Sequence, residues 1–241
     1  MTYALLRGLM RTILRTYLVG LFTLRGTENI PRTGSLIICS NHQGTIDPPL
    51  VPAFVPRSDT WTMAKSEFFR KTWIAFIFRK YHAFPVVRHT ADRAAVRQAF
   101  DLLKAGKALI MYPEGTRIVG GLGSAEPGAG FIAQKAESLF LPVALTGTRE
   151  CLPKGAWWPR RVRVTVTFGK PFLVLRTRAD GSRISHEEAS DAIMVAIAEL
   201  LPPDQRGAFS DLDSYRERLA GVTVPAGVSP PPSGGGQGGG G

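Results

Sequence analysis

Residues 35–49 read Ser-Leu-Ile-Ile-Cys-Ser-Asn-His-Gln-Gly-Thr-Ile-Asp-Pro-Pro, and the fold class follows from how this stretch is parsed. Ser35 to Ser40 is a short apolar run bounded by polar residues and Gly44, which predicts a buried strand opening into a loop. The prolines at 48 and 49 place a helix start directly after it, with Asp47 as N-cap and Pro48 in the first helical position. Moving outward, the same alternation recurs. Strands are expected at Thr60 to Ala64, Phe84 to Val87, Ala108 to Tyr112, Leu141 to Thr146 and Val162 to Phe168. Helices are expected at Pro48 to Phe54, Lys71 to Lys80, Ala91 to Ala105 and Phe131 to Ser138, and at Ser185 to Leu200 behind a Ser185/Glu188 capping box. Strands alternating with helices through short crossovers predict an α/β fold, a single domain with a mostly parallel central sheet flanked by helices.

The chain has 241 residues, 44% of them hydrophobic, enough for one substantial core. Thirty Lys and Arg against 19 Asp and Glu give a net charge of +11, so an anionic partner is expected. Cys39 and Cys151 are too few for a disulfide framework and lack metal-ligand spacing, so no structural zinc is expected. The domain spans residues 25–219. Beyond Leu219 no charged residue remains, and residues 220–241 read as a disordered Pro- and Gly-rich tail.

Residues 1–24 are apolar but carry Arg7, Arg11 and Arg15, so they predict neither a membrane span nor a cleaved signal peptide. On a helical wheel the three arginines share an arc of about 80°, with Leu5, Leu6, Leu9, Met10, Ile13 and Tyr17 opposite. Two readings of this amphipathic helix stay open: a first helix docked on its own domain with solvated arginines, or a membrane-surface helix with arginines in the headgroup plane.

The chemistry concentrates at expected strand ends. On a continuous helix His42 and Asp47 would diverge by about 140°, so they meet only if the loop turns, which Gly44 permits. A carboxylate folded back on one ring nitrogen would fix the tautomer and leave the other nitrogen free to take a proton. The run AGKALIMY leads into Tyr112-Pro-Glu-Gly-Thr-Arg117, and in a parallel sheet both segments leave at the carboxyl edge, where open α/β sheets bind ligands. Arg117 supplies a guanidinium able to fork onto phosphate. Arg88, after Phe84 to Val87, supplies a second at what would be a third adjacent strand end.

These segments resemble the PlsC-type glycerolipid acyltransferases, the lysophosphatidate and glycerol-3-phosphate acyltransferase family. NHQGTID is similar to its NHxxxxD motif, YPEGTR to its EGTRS motif, AKSEFF to its lysine-and-glutamate segment, FPVVR to its arginine-ended segment and LPVAL to its apolar-proline motif, in the family's order from about Leu24 to Phe172. The resemblance implies an O-acyltransferase with His42 as base and Asp47 as its orienting partner, and with Lys65, Arg88, Glu114, Gly115, Thr116 and Arg117 binding substrate. It implies no metal and no bound cofactor, with an acyl-CoA or acyl carrier protein thioester as co-substrate. It also implies a lysophospholipid acceptor and a peripheral or monotopic place on the cytoplasmic face of an anionic membrane. Four residues depart from the family's pattern around the expected headgroup site: His82 where many members have glycine, Val87 where many have aspartate, Ile118 for serine and Glu126 for lysine.

The GxSxG elbow, the P-loop and HExxH are absent from the sequence. The expected reaction is acyl transfer to 1-acyl-glycerol 3-phosphate, giving phosphatidate. Glycerol 3-phosphate or another lysolipid, such as lyso-ornithine lipid, is an alternative acceptor, and a non-enzymatic module for anionic lipid is the alternative of another class. No nucleic-acid partner is expected, because aromatics are not interleaved with the basic runs at base-stacking spacing. Trp157-Trp-Pro-Arg-Arg161 reads either as an interfacial patch or as an exposed hairpin tip.

Overall fold

The computed structural model describes residues 3–87, 92–118, 120–153 and 155–227. Among them nine strands form one sheet: β1 (Phe22–Arg25), β2 (Leu36–Ser40), β3 (Thr60–Lys65), β4 (Ala83–Val86), β5 (Ala108–Met111), β6 (Leu139–Thr146), β7 (Val164–Phe168), β8 (Phe172–Val174) and β9 (Thr223–Pro225). Their order is β1-β7-β6-β2-β5-β3-β4, with β8 beside β6 and β9 beside β8. The central pairs β2 with β5, β2 with β6, β3 with β5 and β3 with β4 are parallel, whereas β6 pairs antiparallel with β7 and β8.

The helices are α1 (Tyr3–Tyr17), α2 (Asp47–Phe54), α3 (Thr72–Lys80), α4 (Arg93–Lys104), α5 (Pro127–Ala136), α6 (Thr148–Cys151), α7 (His186–Ala198) and α8 (Leu212–Arg218). Strand periodicity divides them between two layers. Leu36 and Ile38 of β2 pack with Leu50, Val51 and Phe54 of α2 and Leu14 of α1 on one face. Ile37 and Cys39, pointing the other way, pack with Ala99 of α4, Ile132 of α5 and Ile193 of α7. This is an α/β fold with a mostly parallel sheet between helical layers and a helix in front. No described helix is long and apolar enough to cross a membrane.

Arg57 closes the sheet's amino edge. Its buried guanidinium forks onto Asp59 at 2.9 and 2.7 Å and donates to the carbonyls of Gly34 and Gly106, which precede β2 and β5. His82, between α3 and β4, has a φ of 56°. That left-handed backbone is the one in which glycine is free of strain. Here the imidazole lies between the rings of Tyr3, at 4.1 Å, and Trp61, at 4.7 Å, contacts that glycine could not make.

Two domain boundaries and the orientation of one helix differ from the sequence reading. The first helix stops at Tyr17, and Phe22–Arg25 forms β1 against β7, so the expected N-terminal segment of residues 1–24 includes a strand of the domain. At the other end Val222 is buried and β9 pairs with β8, so residues 220–227 of the expected tail belong to the domain, and residues 228–241 lie outside the described residues. Four-residue and three-residue strands such as β1 and β9 leave too short a period to read.

The third difference is the orientation of α1. Arg7 Nη1 donates to the carbonyls of Val55 and Arg57 at 2.6 and 2.5 Å, and Arg11 Nε to that of Ala53 at 2.9 Å. The arginines therefore serve the carbonyls left over at the C-terminal end of α2, where the helix dipole also favours a cation. Arg15 stacks over Phe54. Leu5, Leu9 and Ile13 face outward. Replacing Arg7 and Arg11 together by Gln should lower unfolding free energy by about 2 to 3 kcal/mol in urea titration. Arginines on a solvated face would cost less than about 0.5 kcal/mol.

Candidate active site

Strand β2 delivers Asn41 and His42 to the carboxyl edge, and both are buried. Asn41 exchanges two hydrogen bonds with Leu145 of β6: its Nδ2 donates to the carbonyl at 2.9 Å and its Oδ1 accepts from the amide at 2.7 Å. The side chain thus extends the pairing of β2 with β6 by one step and anchors the loop that follows.

Asp47 turns back across that loop. Its Oδ2 accepts from His42 Nδ1 at 2.8 Å and from the amides of Gln43 and Gly44 at 2.7 Å each. Since a carboxylate only accepts, Nδ1 carries a proton, and in the neutral ring Nε2 is the nitrogen with the lone pair. Asp47 is the first residue of α2 and Ile46 is the N-cap, with no side-chain cap bond, so the expected Asp47 N-cap is corrected. The carboxylate serves the loop before the helix instead of the helix itself. Gly44 is needed for close approach and not for a positive φ, because a Cβ there would collide with the carbonyl of Thr148.

The second loop is tied to the first at three points. Glu114 Oε2 accepts the His42 amide at 2.7 Å, the Ile118 amide donates to the His42 carbonyl at 3.2 Å, and Arg117 Nη1 donates to Thr45 Oγ1 at 2.6 Å. Glu114 Oε1 accepts from the amide of Gly123 at 2.9 Å. Burial pushes the Glu114 carboxyl up to about 7, against the opposing effect of the two amides. Each oxygen thus accepts a loop amide, and Glu114 holds the two loops together. Gly115 has a φ of 64°, and Thr116 is exposed at the loop surface.

Lys65, at the end of β3, is half-exposed and paired with Glu67 at 2.9 Å. Arg88 lies outside the described residues. Its strand β4 is separated from β5 by β3, so the three strand ends expected to be adjacent are not. The structure thus brings His42, Asp47, Glu114, Gly115, Thr116 and Arg117 together at one edge. The amides of residues 42 to 45 are all committed, to Glu114, to Asp47 twice and to the carbonyl of Leu152, so none of these four is left to donate to an oxyanion.

Two residues that sequence reasoning passed over shape the site. Asn41 gave a signal only as the neighbour of His42. Tyr112 stands 4.5 Å from the His42 ring, centroid to centroid, and its buried hydroxyl has no hydrogen-bond partner among the described residues. Burial and the nearby Asp47 carboxylate raise that phenol well above the usual tyrosine range. From Tyr112 and Gly115 an open, largely apolar groove of about 1230 Å³ runs between α4 and α5 past Val96, Phe100 and Ile132. Arg93, Arg97 and Lys104, exposed on α4, also line it. Among the described residues no group of three or more His, Cys, Asp or Glu is placed to hold a metal ion.

The sequence model of the Acyltransferase family matches residues 21–146, from β1 to the end of β6. The 1-acyl-sn-glycerol-3-phosphate acyltransferase of Bacillus subtilis is 30% identical over 131 residues, 53% of this chain and 65% of that protein. That of Streptococcus pneumoniae is 30% identical over 174 residues, 71% of this chain and 62% of that protein. The chain therefore spans just under two thirds of the length of each. The crystal structure of the 1-acyl-sn-glycerophosphate acyltransferase PlsC from Thermotoga maritima superposes with a TM-score of 0.64 at 27% identity, covering 80% of this chain and 76% of that one. Since the family match takes in more than half of the residues and every described element of the dyad site, the chain belongs to the Acyltransferase family.

Proposed function

We propose that this protein transfers a fatty acyl chain from a thioester to the free hydroxyl of 1-acyl-glycerol 3-phosphate, giving phosphatidate. The observation that carries the reading is the buried contact of His42 Nδ1 with Asp47 Oδ2, held at a parallel-sheet edge beside Arg117 and the mouth of an apolar groove. The activity of the Bacillus subtilis and Streptococcus pneumoniae relatives supports the choice of acceptor.

In this mechanism Nε2 of His42 takes the hydroxyl proton as the acceptor oxygen attacks the thioester carbonyl. The tetrahedral intermediate collapses with cleavage of the C–S bond, and the imidazolium returns its proton to the departing thiolate. No acyl-enzyme forms. Asp47 keeps the imidazole in the productive tautomer, and the amides of Gln43 and Gly44 keep Asp47 in place. Arg117 clamps the acceptor phosphate with guanidinium donors other than the Nη1 that binds Thr45, a positioning effect worth several kcal/mol of barrier. The fatty chain of the donor lies in the groove between α4 and α5. Arg93, Arg97 and Lys104 meet the phosphates of coenzyme A or the acidic surface of acyl carrier protein. The acceptor is bilayer-borne, so the protein works on a membrane surface, as a peripheral or monotopic protein of the cytoplasmic face.

Purified protein given both donor types and a panel of lysolipids and glycerol 3-phosphate tests the reading. Lysophosphatidate should be acylated fastest, and equal use of unphosphorylated monoacylglycerol would contradict it. His42→Ala should lower kcat by about a thousandfold and Asp47→Asn by about a hundredfold, both with the far-UV spectrum of the parent. Arg117→Lys should raise the apparent KM for lysophosphatidate about tenfold, about 1.4 kcal/mol, with a smaller change for the thioester.

Glu114 adds a pH prediction. Because its folded carboxyl titrates near 7 and an unfolded glutamate near 4.5, the folded state holds the extra proton between those values. Its contribution to stability is full below about pH 4.5 and declines as pH rises towards 7. Urea midpoints of the parent should fall over that window. Glu114→Gln should lose most of this slope while being less stable at pH 5, because the amide group it introduces meets a backbone N–H with another donor.

A further inference from the structure

We infer that the protein sits on an anionic bilayer through two aromatic and cationic patches at opposite ends of α1: the face of α3 and the tryptophan loop of residues 155–163. On α3, Trp73, Phe76 and Ile77 follow one another at the spacing of a single helix face and are 66%, 62% and 48% exposed. Phe68 just before the helix is exposed as well. Residues 68–81 contain Arg70, Lys71, Arg79 and Lys80 and no acid, and all four cations are exposed. Lys80 lies over the Phe76 ring. In the loop, Trp157 is 90% exposed and Trp158 62%, and exposed Arg160, Arg161 and Arg163 follow, again without an acid.

Contacts at its two ends join α1 to both patches. At its start, Tyr3 meets the ring of Tyr81, the residue that ends α3. At its end, the Tyr17 hydroxyl donates to the carbonyl of Pro159 at 2.6 Å, and exposed Val19 follows. Fifteen helical residues separate the patches by roughly 20 Å, and between them Leu5, Leu9 and Ile13 of α1 face outward. The Tyr81 hydroxyl also donates to the Pro49 carbonyl in the first turn of α2, so the C-terminal end of α3 is tied to the helix that begins with Asp47.

A lipid surface is the occupant that suits this chemistry. Tryptophan and phenylalanine partition into the headgroup layer, and the flanking lysines and arginines reach lipid phosphates. A protein partner would be expected to offer carboxylates to one patch, and a single rigid partner would have to span both. The inference rests on the proposed function only in placing a lipid acceptor at the membrane. Docking itself can be measured without turnover.

Vesicle flotation tests it, with vesicles of phosphatidylcholine alone and of phosphatidylcholine mixed with phosphatidylglycerol. The full chain should float with the mixed vesicles and much less with the neutral ones. Trp73→Ser with Phe76→Ser, and separately Trp157→Ser with Trp158→Ser, should each weaken binding about tenfold, about 1.4 kcal/mol. Activity on a short-chain, water-soluble lysophosphatidate should stay unchanged. Brominated lipid should quench the tryptophan fluorescence of the unsubstituted protein, a readout that needs no variant to fold. Undiminished flotation of either pair, equal binding to neutral vesicles, or absence of quenching would overturn the inference. If docking behaves as expected but no lysolipid is acylated, the docking surface stands and the proposed acceptor falls.

Discussion

A single buried oxygen, Oδ2 of Asp47, organises the site, because it accepts three N–H groups from a loop that would otherwise have nowhere to send them. Buried amides left without acceptors cost about 1 to 3 kcal/mol each, so the loop from Asn41 to Ile46 folds around the carboxylate or does not fold there at all. The same oxygen sets the histidine tautomer, which makes the structural requirement of the loop and the chemical requirement of a general base one interaction. The close approach at Gly44 follows from it: the loop is pulled down far enough to touch the backbone of α6.

Around that centre the structure spends polar side chains on backbone groups. Asn41 splices the loop to β6, Glu114 binds the amides of His42 and Gly123, and Arg7 and Arg11 cover the carbonyls at the far end of α2. Such pairing holds His42, Arg117 and the groove in a fixed relation, the preorganisation that the proposed transfer requires. For Glu114 the arrangement raises the cost of ionising the carboxyl, and the two N–H donors offset only part of it.

Much of this was legible in the sequence because strand periodicity and prolines leave strong local marks. The β2 to α2 passage and the parallel edge could be read from residues 35–49 and 108–117, whereas the meeting of His42 with Asp47 was permitted by Gly44 and implied only by the family resemblance. Direction was harder to read. A helical wheel places Arg7 and Arg11 on one face of α1 but cannot say that the carbonyl end of α2 awaits them, so these two turned inward while Leu5, Leu9 and Ile13 turned outward. Glu114 posed the same difficulty: its position in YPEGTR marks it as important, yet whether a carboxylate faces a ligand or two amides depends on the loop from Ile118 to Gly123, which has no periodic signature. Short strands such as β1 and β9 form because β7 and β8 offer open edges, a cause that lies elsewhere in the chain.

The central claim is direct, base-assisted transfer from thioester to lipid hydroxyl, with the protein never carrying the acyl group. Rapid mixing of the protein with acyl thioester, with and without lysophosphatidate, while released thiol and acylated species are followed by mass spectrometry, tests it most directly. The account predicts no thiol burst and no acyl-protein without acceptor, and one phosphatidate formed per thiol released once acceptor is added. A burst equal to the protein concentration with an acyl adduct on the chain, or thiol release without phosphatidate, would contradict it.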